Sequence, residues 1–141
     1  MPSRELIAVE LKLTGVAREI AMRPERFDQF IRAVKRGTKQ FPIKVKTLEE
    51  EFGVGGESIR KLRAFAQCMG YEVGSDMRGK NSGYFWAQTE TELADTEAQM
   101  YSRYRSLGMS LNAIRMTRTR LRSRRPDQPE QPKRLIQESL F

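Results

Sequence analysis

The sequence predicts a mainly α-helical protein with a small β-hairpin, followed by a long C-terminal helix and a disordered tail. Three observations lead to this fold class. Apolar residues recur at three- and four-residue spacing in several segments, which is typical of amphipathic helices. Two short aromatic runs flank the glycine-rich segment at 74–83, as in a β-hairpin. The stretch RRPDQPEQPKR near the end of the chain is too polar and too rich in proline to pack.

Length and composition limit the class of protein. The chain has 141 residues, the size of one domain, with no histidine and a single cysteine, Cys68. We therefore expect no disulfide, no metal site and no cofactor, and the absence of a long apolar run predicts no membrane span. A catalytic triad has no histidine to use, and the consecutive carboxylates Glu49, Glu50 and Glu51 fan around a helix instead of converging on one ion. The sequence thus predicts a cytoplasmic protein that is not an enzyme.

The net charge of +8 is concentrated in one segment. Between Ala98 and Pro126 there are eight arginines, no lysine and no acidic residue, while the other 18 basic and 18 acidic residues cancel. The planar guanidinium group of arginine binds phosphate in a bidentate manner. The charge therefore predicts a polyanionic partner, nucleic acid in preference to a membrane surface. The alternative is a solvated basic helix that only aids solubility.

The first part of the chain is expected to be irregular. Residues 1–22 follow no clear apolar period and are predicted to form a mobile or partly helical arm. A first helix is predicted over residues 24–36, with Pro24 in its first turn and Gly37 as a left-handed stop. The segment FPIKV that follows is expected to be extended, because proline cannot join a helix there.

Residues 47–70 predict two helices joined by a glycine corner. Thr47 and Glu50 match a capping box, so we expect a short helix to start at Leu48 and to end at Gly53. A longer helix follows and is expected to end at Gly70. Its apolar stripe is Ile59, Leu62, Phe65, Ala66 and Met69. Its outer face is Ser58, Arg60, Lys61, Arg63 and Gln67.

The order helix, short strand, helix-turn-helix and hairpin resembles the winged helix-turn-helix family of DNA-binding domains over residues 24–88. The resemblance rests on L-x-x-x-F-G-V at 48–54, on I-x-x-L at 59–62 and on the glycines of the hairpin tip. It implies a domain over residues 23–88 whose second helix enters the major groove of double-stranded DNA. The DNA-binding residues implied are Ser58, Arg60, Lys61, Arg63 and Gln67 on that helix, with Arg78 and Lys80 on the wing. The alternative is a winged helix that contacts protein.

Residues 89–122 predict a long basic helix, capped by Thr89 or Thr91. Apolar residues recur every seven positions, with two more between them: Leu93, Met100, Tyr104, Leu107, Leu111, Ile114 and Leu121. This pattern predicts a coiled coil between two copies, a homodimer, or a first half that packs back on the winged helix. Glu97 and Arg118 interrupt the pattern. One face of the helix is expected to lie along DNA phosphates, through Arg115, Arg118, Arg122 and Arg125.

Residues 123–141 predict a flexible tail that ends in QESLF. This ending resembles the pentapeptide with which bacterial replication factors bind the ring-shaped sliding clamp. The resemblance implies a hydrogen bond from Gln137, a backbone contact of Ser139, and an apolar pocket for Leu140 and Phe141. Glu138 departs from the pattern, where an apolar residue is usual, and this puts affinity in doubt. The alternative is that the apolar residues of the tail fold back on the domain.

The function expected from these features is that of a DNA-binding adaptor in DNA replication, which binds duplex DNA and the bacterial sliding clamp. Such a build is most like a phage, prophage or plasmid accessory factor, at work in the bacterial host cell or nucleoid. Two alternatives remain at this point: a dimeric winged-helix transcriptional regulator, and a DNA-recognition subunit for phage genome packaging.

Overall fold

A computed structural model describes residues 3–79 and 82–124 of the chain. In chain order its elements are α1 (Arg4–Glu10), α2 (Gly15–Met22), α3 (Pro24–Lys35), α4 (Val45–Phe52), α5 (Gly56–Cys68), β1 (Val73–Asp76), β2 (Gly83–Trp86) and α6 (Glu90–Ser123). They fall into two compact units, one up to Glu97 and one from Ala98 onwards. The expected fold class, mainly helical with a small hairpin and a long C-terminal helix, is confirmed. The order of elements is compatible with a winged-helix shape.

Aromatic rings fill the core of the first unit. Phe27 meets Phe65 edge to face with ring centroids 5.4 Å apart, and Phe30 meets Phe52 in the same way at 5.6 Å. These contacts join α3 to α5 and to α4. From the hairpin, Tyr84 enters the same core and is fully buried. The core therefore holds α5 by its apolar side, and the opposite side of the helix, which carries Arg60, is exposed.

Residues 4–22 form two packed helices, which corrects the prediction of an arm. Helix α1 begins after Ser3, whose hydroxyl accepts a hydrogen bond from the backbone N–H of Leu6 at 3.1 Å. The buried side chains of this segment are Ile7, Ala8, Leu13, Ala17, Ile20 and Ala21. Each helix has only about two turns, so its apolar positions do not recur often enough to establish a period.

Helix α3 confirms the first predicted helix, but the reason for Gly37 is different from the one expected. The described glycines with a left-handed φ do not include Gly37. A Cβ atom at this position would lie 2.5 Å from the backbone oxygen of Tyr84 and 2.8 Å from the backbone nitrogen of Ile43. Glycine is needed because two other backbone segments approach closely.

Helix α4 begins at Val45, three positions before the predicted start, with Lys44 as the N-cap residue. No side chain caps it, so the capping-box interpretation of Thr47 and Glu50 was wrong. The start is set by tertiary structure, because the neighbouring Ile43 pairs with Tyr84 of the hairpin. The predicted glycine end is confirmed, since Gly53 has a left-handed φ of 66°.

The corner after α4 leads directly into α5, which ends as predicted at Gly70, with a left-handed φ of 89°. The hairpin strands are antiparallel, with Val73 opposite Trp86 and Ser75 opposite Tyr84. At the start of α6, Thr89 is confirmed as a cap, because its hydroxyl accepts a hydrogen bond from the backbone N–H of Glu92 at 3.3 Å.

Within the described residues, no helix is both long enough and apolar enough to cross a membrane. Helix α6 extends to Ser123. The predicted linker and the QESLF ending lie in residues 125–141, outside the described part of the chain.

Candidate nucleic-acid interface

Helix α5 presents one predicted DNA-contacting cation to solvent. Ile59, Leu62 and Phe65 are fully buried, which fixes the rotation of the helix about its axis. Arg60 is exposed as a result, and Ser58 is half-buried. The first turn also contains the exposed carboxylate of Glu57, which repels phosphate at that point.

Lys61 turns towards the N-terminal helices. Its ammonium group donates to the backbone oxygen of Lys12 at 3.2 Å and lies 3.6 Å from the Glu57 carboxylate. Lys12 has a left-handed φ of 57°, which is uncommon for a residue with a side chain. The corner between α1 and α2 therefore lies beside α5, the helix predicted to read DNA. The sequence did not predict this contact, because residues 1–22 show no clear apolar period.

Arg63 and Gln67 connect α5 to the hairpin. The Arg63 guanidinium group donates to the Gln67 side-chain oxygen at 3.0 Å, and the Gln67 amide donates to the backbone oxygen of Val73 at 3.0 Å. Arg63 also lies over the Tyr84 ring, 5.7 Å from its centroid. Both side chains are half-buried, so Arg60 is the exposed cation among the five residues predicted on this helix.

Arg78, on the hairpin tip, is held by two carboxylates. Its guanidinium group lies 3.2 Å from Asp76 and 2.8 Å from Asp95, and Lys39 reaches Asp95 at 2.5 Å. The hydrogen bond from Arg78 keeps the pKa of Asp76 below its ordinary value, and the same contact raises the pKa of Arg78. Lys80, the second predicted wing contact, lies outside the described residues.

A buried hydroxyl joins the hairpin to the start of α6. Thr96 Oγ1 accepts from the backbone N–H of Ser75 at 3.1 Å and donates to the backbone oxygen of Ser75 at 3.2 Å. Both residues are buried. Together with the Arg78–Asp95 ion pair, this contact fixes the position of strand β1 against the first turns of α6. Neither Thr96 nor Lys39 was identified from the sequence, because their partners are distant in the chain.

The second unit carries cations without carboxylates. From Ala98 to Arg124 there are seven arginines and no acidic residue, and six of these arginines lie in α6. Arg115, Arg118 and Arg122 are exposed and recur at three- and four-residue spacing, so they share one side of α6. They span seven positions, about 10 Å of helix. Arg125, the fourth residue predicted on this side, lies outside the described residues.

A short loop before α4 presents further groups that the sequence interpretation did not include. Phe41 is 79% exposed. It is held by two hydrogen bonds, from its backbone N–H to Thr38 Oγ1 at 3.0 Å and from the Thr38 N–H to its backbone oxygen at 3.1 Å. Lys44 and Lys46 follow and are exposed. An exposed aromatic residue before two lysines was visible in the sequence as FPIKVK, but only the fold reveals that the ring is not packed.

No group of three or more cysteine, histidine, aspartate or glutamate residues in the described part of the chain is arranged to hold a metal ion. The candidate residues brought to the surface are cations, together with the exposed ring of Phe41. Comparison with protein-family models, with curated proteins and with solved structures finds no match to this chain.

Proposed function

We propose that the protein is a DNA-binding adaptor in DNA replication, which binds duplex DNA through its winged helix and α6 and binds the bacterial sliding clamp through QESLF. The observation that carries the DNA part is the acid-free stretch from Ala98 to Arg124, nearly all of it in α6. Its seven arginines repel one another unless a polyanion neutralises them. DNA phosphates release bound counterions when arginines replace them, and this release favours binding.

The first unit supplies a second contact. Arg60 lies on the exposed side of α5, which follows α4 after a short glycine corner, the order of elements in a helix-turn-helix. In such an arrangement the exposed side of the second helix faces the major groove. Because Arg63 and Gln67 are engaged with the hairpin, the proposal assigns base or phosphate contact on this helix first to Arg60.

The clamp contact rests on the sequence of the tail. Leu140 and Phe141 follow a proline-rich segment, and apolar residues at the end of such a segment are typical of short linear motifs that become buried on a partner. Attachment to a clamp raises the local concentration of the DNA-binding unit at replicating DNA without additional base contacts.

The DNA contact is tested by measuring duplex affinity as a function of salt. In Arg115→Gln with Arg122→Gln we expect weaker binding and a slope of log K against log salt that is smaller by about 1.8, since each lost phosphate contact contributes about 0.9. The matched control is Arg23→Gln with Arg32→Gln, which removes the same charge from exposed positions in the first unit. Equal slopes for the two variants would refute the role of α6.

The contact through α5 is tested separately with Arg60→Ala. Loss of one charge-assisted contact is expected to weaken duplex binding by about 1–3 kcal/mol. Folding should be unaffected, because the side chain is exposed. Unchanged duplex affinity at physiological salt would refute the assignment of this helix to the groove.

The clamp contact is tested with a labelled RLIQESLF peptide titrated against a purified bacterial sliding clamp. Saturable micromolar binding is expected, and the alanine changes at Leu140 and Phe141 should abolish it. Leu135→Ala, in the same peptide but outside the motif, is the matched control. Equal binding of all three peptides, or no binding to the clamp of the cognate host, would refute the adaptor proposal and leave DNA binding intact.

One observation favours a second candidate, the dimeric winged-helix regulator. Helix α6 exposes apolar residues at heptad spacing, as a dimerisation helix does. A regulator predicts a palindromic binding site and full repression after deletion of the last five residues. An adaptor predicts loss of function from the same deletion.

A further inference from the structure

Helix α6 carries an apolar stripe that residues 3–79 and 82–124 leave open. The stripe consists of Met100, Tyr104, Leu107, Leu111 and Ile114, which alternate at four- and three-residue spacing. Their exposed fractions run from 39% at Met100 to 74% at Tyr104. A continuous row of exposed apolar side chains on one side of a helix is characteristic of an interaction surface.

Gly108 lies beside this stripe and has no explanation within the chain. Its φ is not left-handed, and a Cβ atom added to it would find no atom within 4 Å. Glycine in a helix interior weakens the helix. A position without a side chain, next to an open apolar stripe, is suited to the close approach of another helix.

The two charged residues at the ends of the stripe indicate the direction of that helix. Glu97 lies seven residues before Tyr104, and Arg118 lies seven residues after Leu111, so both continue the heptad pattern. Both are exposed. In a parallel pair of identical helices each of them would face its own copy, glutamate against glutamate and arginine against arginine. In an antiparallel pair, glutamate meets arginine at both ends.

We propose that two copies of this chain associate through an antiparallel pairing of their α6 stripes, in which Leu107 of one copy packs against Leu111 of the other. In this register Glu97 of one copy lies within three residues, about 4.5 Å along the axis, of the level of Arg118 of the other. The long arginine side chain spans that offset. The pairing is argued without the proposed DNA or clamp contacts, but it engages Arg118, which the DNA proposal also uses, and leaves Arg115 and Arg122 for that contact.

The flanking positions are compatible with this arrangement. In an antiparallel pair, each position that flanks the stripe lies beside residues of the same flank on the other helix. In the register proposed, this places Arg115 of one copy next to Tyr101 of the other, and Arg103 next to Thr117. Gly108 faces the same glycine of the second copy at the centre. No arginine is forced against another arginine along the stripe, although α6 carries no acidic residue beyond Glu97 in the described part of the chain. Arg105 and Arg120 lie on the side of α6 opposite the stripe, whereas Arg118 belongs to the pairing, where Glu97 of the other copy offsets its charge.

The association is tested by sedimentation equilibrium of the full chain at micromolar concentration. We expect twice the chain mass of 16.4 kDa for the unmodified protein and a single-chain mass for Leu107→Gln with Leu111→Gln. The matched control is Met109→Gln with Met116→Gln, which changes exposed apolar residues on the opposite side of α6. Circular dichroism checks that helix content is equal. A monomeric unmodified protein, or a control that dissociates as readily as the stripe variant, would overturn the proposal.

The direction is tested by charge reversal. Glu97→Arg and Arg118→Glu should each weaken association about tenfold, because each places like charges at both ends, and the combined variant should restore it. Without restoration, the antiparallel direction is wrong. Disulfide formation gives an independent readout in a Cys68→Ser background, needed because Cys68 is exposed. Leu107→Cys mixed with Leu111→Cys should cross-link, whereas cross-linking of either variant with itself would indicate a parallel pair.

Discussion

Replacement of Thr96 with valine is expected to destabilise the first unit by about 2 kcal/mol. Valine has nearly the shape of threonine, so the packing is retained. The backbone N–H and oxygen of Ser75, however, lose the hydroxyl that lies 3.1 and 3.2 Å away. Because both residues are buried, water does not readily replace it. Leaving the buried N–H of Ser75 without a partner costs about 1–3 kcal/mol. Loss of the hydrogen bond to the Ser75 backbone oxygen adds little, because a carbonyl oxygen tolerates a missing hydrogen bond better than an N–H does.

The assay is urea unfolding followed by the fluorescence of Trp86, the only tryptophan of the chain, which lies in β2. With a typical slope of 1–3 kcal/mol per molar urea, the midpoint should fall by about 1 M. Thr117→Val is the matched control, because that hydroxyl donates to the backbone oxygen of Ala113 at 2.9 Å within the helix itself. A change below about 0.5 kcal/mol for Thr96→Val, or one equal to the control, would refute the argument that the hydroxyl anchors the strand.

Further predictions follow from other contacts of the first unit and from α6. Gly37→Ala should lower the free energy of unfolding by about 1–3 kcal/mol, because its Cβ would meet two backbone atoms. In the monomeric Leu107→Gln, Leu111→Gln background, where the proposed pairing does not contribute, Gly108→Ala should raise the stability of α6 by about 1 kcal/mol, because its Cβ meets open space. Urea titrations measure both changes, and equal effects would contradict the packing argument. Since Arg78 keeps the pKa of Asp76 below 3.8, this pair contributes stability that is complete above pH 3.8 and is lost as the pH falls through the lowered pKa. In Asp76→Asn that part of the pH dependence should disappear, and unfolding midpoints measured around and below pH 3.8 test it. Arg4→Met should cost about 1–2 kcal/mol, because the guanidinium group donates to a backbone oxygen at 2.7 Å and lies over two core rings; a smaller loss would mean that α1 is not part of the folded unit.

The elements that the sequence predicted well are those with a repeated local signal. Helix α3 has three turns, and its apolar residues recur often enough to define the buried side. Helix α5 has a similar length, and the predicted glycine stops adopt the left-handed conformation, Gly53 at the end of α4 and Gly70 after α5. A local pattern was sufficient because the physical cause of the structure was also local.

The elements that the sequence did not predict depend on distant partners. Helices α1 and α2 are stabilised by burial against α3 and α5, and two turns give no period. The start of α4 was misplaced because the Ile43–Tyr84 bridge, with a separation of 41 residues, overrides the local capping preference. The sequence also placed Arg63 and Gln67 on an outer face, because helical spacing does not show that the following strand turns back to bring the Val73 carbonyl to Gln67. Helical spacing fixes which side a residue occupies, but not whether another element covers that side.

The hairpin has only two strands, and both of its edges are occupied. The Ile43 backbone exchanges hydrogen bonds with Tyr84 on the β2 side, and the Thr96 hydroxyl takes both backbone groups of Ser75 on the β1 side. An edge whose N–H and C=O groups are engaged cannot template a strand from another molecule. Under the proposed function many copies of the same hairpin would gather along DNA, and the occupied edges would protect them from edge-to-edge aggregation.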